Sequence, residues 1–165
     1  MQIIKGPDFP TEGLILGREG IKEAYTTGRG KIIMRAEAEI EEMSGNKQRI
    51  IVSSLPYQVN KARLIENIAH LCKEKRIEGI SELRDESDRT GIRAVIEFKK
   101  SVDKEGADKV LKYLYKKTDL QCNISFNMVA LANGKPETMG LKTIIKHYVN
   151  HQKDIVTRRT IKELE

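Results

Sequence analysis

Between Arg49 and Lys99 the apolar residues change period twice, and a residue at each change enforces it. Ile50 to Leu55 is an apolar run of strand length closed by Pro56, which cannot continue a paired strand. Asn60 then offers a side-chain oxygen to an orphan amide one turn into a helix. From there Leu64, Ile68 and Leu71, with Ile65, Ala69 and Cys72 beside them, form a wide stripe at helical spacing. Strand spacing returns at Ile80 to Leu83. The acidic loop 85–91 follows, and a return strand alternates Ile92, Ala94, Ile96 and Phe98 against Arg93, Val95, Glu97 and Lys99. A strand, a capped helix and a hairpin in this order confine the chain to an α+β architecture.

The flanks extend that pattern. Residues 6–11 (GPDFPT) are too rich in Pro and Gly for a helix, and residues 19–27 predict a short helix with Ile21, Ala24 and Tyr25 inward. Residues 31–42 carry helix-friendly types, but Met34, Ala36, Ala38 and Ile40 alternate with Arg35, Glu37, Glu39 and Glu41. They predict a strand that pairs with residues 47–55 across Ser44-Gly45-Asn46. A second amphipathic helix is expected over 104–117, with Ala107, Val110, Leu111 and Leu114 buried. Residues 120–131 show the longest alternation and predict one long strand ended by Asn133-Gly134. The predicted fold is thus a mainly antiparallel sheet of two hairpins plus a long strand, with helices on one face. A long C-terminal helix follows, in which Leu141, Tyr148 and Ile155 stand at heptad spacing. Residues 1–140 form the predicted α+β domain, with 1–30 as a leading segment and short helix, and residues 141–165 the start of a coiled-coil arm. Because the chain stops inside a helical pattern without a Gly or Pro stop signal, it reads as a piece of a longer protein.

Function classes narrow by elimination. Thirty Lys and Arg against 24 Asp and Glu give +6 and a pI near 9.3, a balance that suits a polyanionic partner. No signal peptide, lipidation motif or bilayer-length apolar run is present, so the expectation is a cytoplasmic protein without a membrane partner. Cys72 and Cys122 read as small buried hydrophobes in a reducing compartment. The acids Asp85, Glu86 and Asp88 depart from a calcium loop because Ser87, Arg89 and Thr90 occupy required positions. They read instead as a hairpin tip neutralised by Arg84 and Arg89. His147 and His151 lie four apart with no third ligand, which favours a solvated helix face over a metal site. The glycines of Gly28-Arg29-Gly30-Lys31 fail the Walker pattern, with Tyr25 where Gly is needed and Ile32 where Ser or Thr is needed. No nucleophile–base pair is evident. No catalytic, cofactor-binding or metal-binding residue is therefore assigned.

What remains is a basic helix start. Lys61 and Arg63 occupy a first turn where the helix dipole favours acids. With Asn60, and with Arg29 and Lys31 from the earlier turn, they present amides and cations suited to phosphates. The competing reading is a solvated cluster neutralised by Glu66, Glu37 and Glu39. Phosphate contacts of this kind are sequence-blind and salt-sensitive.

Several blocks carry a resemblance. Residues 6–11 (GPDFPT), 25–31 (YTTGRGK), 56–63 (PYQVNKAR), 77–89 (IEGISELRDESDR), 127–131 (NMVAL) and 156–160 (VTRRT) resemble the breakage–reunion subunit of bacterial type IIA DNA topoisomerases, nearly end to end. Gln58-Val59 is more similar to the DNA gyrase branch than to the topoisomerase IV branch, which is the alternative. The resemblance implies a tower domain and the first part of the coiled-coil arm, with double-stranded DNA as partner. It implies that the chain supports the cleaved duplex and links it to the exit gate during ATP-dependent DNA supercoiling. It further implies an ATPase partner (the gyrase B subunit) that supplies ATP and magnesium sites, a second copy of the A subunit, and a catalytic tyrosine upstream of these residues. By that implication this piece is inactive alone. Three departures bear on the DNA footprint: Glu37 stands where a basic residue is common, Ser53-Ser54-Leu55 replaces a more usual Thr-Glu-Ile, and Gln152-Lys153 replaces a common Arg pair. Two other classes compete with this one. A single-strand RNA reader needs exposed strand aromatics, but Phe98 and Phe126 fall on predicted inward faces. A pure interaction module would use the helix from Leu141 as a dimerisation arm.

Overall fold

The computed structural model describes residues 3–164. In chain order they form β1 (Leu14–Leu16), α1 (Glu19–Thr27), β2 (Arg29–Arg35), β3 (Ala38–Met43), β4 (Lys47–Val52), α2 (Lys61–Lys73), β5 (Ile80–Asp85), β6 (Ala94–Phe98), α3 (Lys104–Lys117), β7 (Gln121–Asn127), β8 (Val129–Ala132), β9 (Lys135–Thr138) and α4 (Leu141–Leu164). The class is the α+β one expected, with antiparallel sheets and a long C-terminal helix. The chain divides into two compact units. One holds the described residues through Pro7, Gly17–Ile32 and the chain from Ile124 onward, and the other holds Asp8–Leu16 and Ile33–Asn123.

The second unit is built on a four-stranded sheet of order β3-β4-β6-β5. Both expected hairpins lie in it. The register Ile40↔Ile50↔Ile96↔Leu83 aligns one apolar row across all four strands. This row, with Val52, Ala94 and Phe98, meets Leu64 and Ile68 of α2 and Ala107, Leu111 and Leu114 of α3 in a single core. Both helices carry the side-chain caps their sequences call for. Asn60 Oδ1 accepts from Arg63 N at 3.0 Å, and Asp103 Oδ1 accepts from Gly106 N at 2.8 Å. Phe98 is fully buried, which removes it from any stacking platform.

Three expectations are corrected. The strand predicted over residues 31–42 is two strands in two sheets, broken at Ala36-Glu37. Ala36 N donates to Leu120 O at 2.7 Å, and Glu37 N donates to the buried hydroxyl of Ser54 at 3.1 Å. These bonds take the two amides out of the β4 ladder, so the alternation passes unbroken through a change of sheet. The second correction concerns residues 120–131, where Met128 interrupts the long strand. Its N–H bonds Gly28 O and its carbonyl accepts from Met139 N, at 2.7 and 3.0 Å. The chain after it folds back as the β8–β9 hairpin rather than ending at Asn133-Gly134. Both turn residues have positive φ, 50° and 79°, as a two-residue hairpin turn requires.

Third, β6 does not alternate between core and solvent, because all five of its residues are buried. It is an inner strand, and its second face carries a ladder of charges. Glu41 bonds Arg49 at 2.7 Å, Arg49 stands opposite Glu97, and Glu97 is paired with Arg84. Glu97 is thereby 8% exposed yet compensated.

In the first unit, β8 and β9 pair, α1 packs against α4, and Ile21, Ala24, Ile32, Ala132 and Met139 are buried. Gly28 ends α1 in the left-handed conformation at φ 84°, with its N–H on Ala24 O. A Cβ there would stand 2.6 Å from Met139 O, so the backbones pass at a separation only glycine permits. No described residue of α4 is buried, and Tyr148, Ile155 and Ile161 are exposed.

Candidate nucleic-acid interface

The start of α2 follows from its local sequence. Pro56 is buried, and Tyr57 packs on Phe9 with ring centroids 5.3 Å apart. Gln58 takes a positive φ of 66°, and Val59 N closes the turn on Pro56 O at 3.2 Å. Asn60 then caps the helix. There is no acid in the first turn, so Lys61, Ala62 and Arg63 open α2 with positive dipole and positive side chains together.

Two of the five sequence-chosen residues are already engaged. Asn60 spends Oδ1 on the cap. Lys61 Nζ binds Asp85 Oδ2 at 2.8 Å, with both side chains partly exposed. The neutralising acid is thus Asp85, and Glu66, Glu37 and Glu39 make no ion pair with Lys61 or Arg63 among the described residues. Lys61 and the Ser87 hydroxyl, with the Ser87 amide that donates to Asp85 Oδ1 at 3.1 Å, hold the Asp85 carboxyl down at about 2. Sequence reasoning missed this pairing because it placed Asp85 in a loop. The residue instead ends β5 opposite Ala94, at the same end of the sheet as the start of α2.

Arg63 is exposed and forms no ion pair among the described residues, and the same holds for Arg29 and Lys31. Arg29 N donates to Thr27 Oγ1 at 3.1 Å, which fixes the backbone where β2 leaves α1. Arg29 and Lys31 belong to one compact unit and Asn60, Lys61 and Arg63 to the other, so they form two sets.

The remaining constellations resolve as local structure. Asp88 Oδ1 accepts from Thr90 N at 2.7 Å and from the Thr90 hydroxyl, which lowers its pKa. Arg84 and Arg93 each pair with Glu86 at 3.2 Å, while Arg89 forms no ion pair among the described residues, so Arg93 takes the place expected of Arg89. Cys72 and Cys122 are unpaired thiols whose partial burial raises their pKa. Among the described residues no three His, Cys, Asp or Glu side chains come together as a metal set. No helix among them is long and apolar enough to cross a membrane.

The model of the family formed by the A subunits of DNA gyrase and topoisomerase IV matches residues 1–165. The chain belongs to this family. It is 55% identical over 166 residues to the DNA gyrase A subunit of Pseudomonas aeruginosa, covering 99% of this chain and 18% of that protein. The DNA gyrase A subunit of Clostridium acetobutylicum is 54% identical over 165 residues, 100% of this chain and 20% of the relative. The DNA topoisomerase 4 A subunit of Bacillus subtilis is 50% identical over 165 residues, again 100% and 20%. The chain therefore spans about a fifth of the length of these relatives. As a piece of a type IIA topoisomerase A subunit, it contains both the turn 56–63 and the four-stranded sheet β3-β4-β6-β5. Ser54, expected to stand where Glu is more usual, has a visible structural use, since its buried hydroxyl receives the Glu37 amide.

Proposed function

We propose that this piece supports and positions the duplex cleaved by its parent topoisomerase, through backbone contacts at the start of α2. The observation that carries the proposal is a helix whose first turn combines an Asn cap, exposed Arg63, Lys61 and no acid. Such a terminus suits phosphate oxygens, which accept from amides and cations together. Asn60 keeps its amide NH2 as a donor while Oδ1 caps. Lys61 exchanges a partly exposed carboxylate for a phosphate, and Arg63 has no ion-pair partner among the described residues to give up. Arg29 and Lys31 are a second set with the same chemistry. Contacts of this type position a duplex without reading its bases.

In this reading residues 1–140 act as the tower domain and residues 141–165 begin the coiled-coil arm that leads to the exit gate. The parent is a gyrase, an ATP-dependent supercoiling isomerase of two A and two B subunits. Gln58-Val59 and the somewhat higher identity to gyrase relatives support that branch over topoisomerase IV. ATP hydrolysis and magnesium belong to the B subunit, while the catalytic tyrosine lies in a part of the A subunit outside these residues. This piece therefore acts by holding DNA.

The test is duplex binding by the full-length A subunit carrying Lys61→Ala and Arg63→Ala, measured against salt. Loss of two phosphate contacts lowers the slope of log K on log salt by about 1.8. An unchanged slope with an intact fold would rule the α2 start out as a DNA contact.

A further inference from the structure

The opposite end of the same sheet gathers a cluster of lysines. Lys75, Lys99, Lys100 and Lys104 are all exposed, and none forms an ion pair among the described residues. The topology brings them together. Lys75 follows α2 in a left-handed turn at φ 56°, and with Lys99 it lines a cleft of about 580 Å³ that Ser101, Gly79 and Val102 complete. Lys99 N donates to Gly79 O at 2.8 Å, which ties the end of β6 to the start of β5. Lys100 Nζ lies 3.9 Å from where a Cβ on Gly45 would stand, at the β3–β4 turn. Continuing the Arg49↔Glu97 register by two residues sets Lys47 opposite Lys99. Lys104 opens α3 immediately beyond this loop.

Of the nearby acids, Glu74 is held by Arg76 at 3.0 Å, and Asp103 caps α3 while keeping its charge. Among the described residues that line the cleft, Glu78 is the acid set against Lys75 and Lys99. The α2 start is the reverse case, since Asp85 already holds Lys61. A cluster of exposed like charges with few counter-charges raises a local potential that draws a polyanion.

We infer that this lysine end is a second contact for the backbone of double-stranded DNA, separate from the start of α2. The thirteen residues of α2 separate the two ends by about 20 Å, or roughly six base pairs of a duplex laid along the helix. The inference rests on the proposed function only in taking the same duplex as the ligand.

The experiment uses the full-length A subunit with Lys75→Ala, Lys99→Ala and Lys100→Ala together, and a parallel triple Arg variant. Binding is measured against salt on a long duplex. The expected result on the long duplex is a salt slope lower by roughly two to three, about 0.9 per lost contact, and affinity at least about tenfold weaker at moderate salt. The triple Arg variant should restore binding. An unchanged slope on the long duplex, with an unchanged melting temperature, overturns the inference. It leaves the role of Lys61 and Arg63 intact, because that role is read from a different pair of variants. Failure of the triple Arg variant to recover binding also overturns it, since positive charge at these positions would then not be what holds the duplex.

Discussion

Lys61 Nζ lies 2.8 Å from Asp85 Oδ2, so the first cation of α2 is tied to the last residue of β5. The pair joins a helix start to a strand end far along the sequence, and any anion that recruits Lys61 must compete with Asp85. Both partners are partly exposed, so the bond is worth at most about 1 kcal/mol to the fold. Its larger consequence is for binding.

Replacing Asp85 with Asn releases Lys61 and removes a negative charge beside the proposed contact. The expected outcome is tighter duplex binding when the full-length protein is tested at low salt, a difference that shrinks as salt screens it. The stability effect should be small and tied to acid. The Asp85 carboxyl lies lower in the folded chain, at about 2, than the roughly 3.9 of an unfolded aspartate. Its contribution is therefore complete above about pH 4 and lost as pH falls through about 2. Denaturation of wild type and Asp85→Asn should converge across that window, and a gap that persists below it would contradict the assignment.

Substitution separates the observed cap of Asn60 from its proposed phosphate contact. Asn60→Ala removes the acceptor for Arg63 N and should cost about 1 kcal/mol in denaturant unfolding. Asn60→Asp keeps the cap at little or no cost in stability but sets a carboxylate where the phosphate is proposed to dock. Weaker DNA binding by the Asp variant without loss of stability is the expected result. Equal affinity of Asp and wild type would leave Asn60 a cap and nothing more.

Glu97 depends on its neighbours for its place inside the sheet. Arg84→Ala strips the partner from a carboxylate that is 8% exposed, and should destabilise by about 1–3 kcal/mol. Glu97→Gln keeps the volume and a hydrogen-bonding group, so the cost should be smaller. Urea titrations of the two variants test the order, and Arg84→Ala milder than Glu97→Gln would argue that Arg49 alone suffices.

Gly28→Ala forces a Cβ to within 2.6 Å of Met139 O and places alanine at φ 84°. Both effects oppose the substitution, and a loss of about 1–3 kcal/mol is expected. Thermal melting of the variant checks this, and an unchanged midpoint would show that the two backbones separate freely.

Much of this fold was legible from local pattern because its causes are local. The bounds of α1 and α3, the cap at Asn60, the turn at Ser44-Gly45-Asn46 and the apolar stripes of α2 and α3 are each set by residues within one or two turns of the chain. The breaks at Ala36-Glu37 and Met128 were not legible, because distant groups cause them: the Leu120 carbonyl, the Ser54 hydroxyl and the Gly28 carbonyl. An alternating run looks the same whether or not its amides change partner midway. The β8–β9 hairpin did have a local signal in Asn133-Gly134, which was read as an end where it is a return.

The amino-acid sequence by itself determined the α+β class, the family and the cations that open α2, because periodicity, caps and motif blocks are properties of neighbouring residues. Only the tertiary structure decided which of those cations is already held by an acid and which end of the sheet gathers a cluster of lysines. Ion pairs such as Lys61–Asp85 and Arg84–Glu97 form between strand ends and helix starts brought together by sheet register, and charge balance at a surface is fixed by that meeting rather than by spacing along the chain.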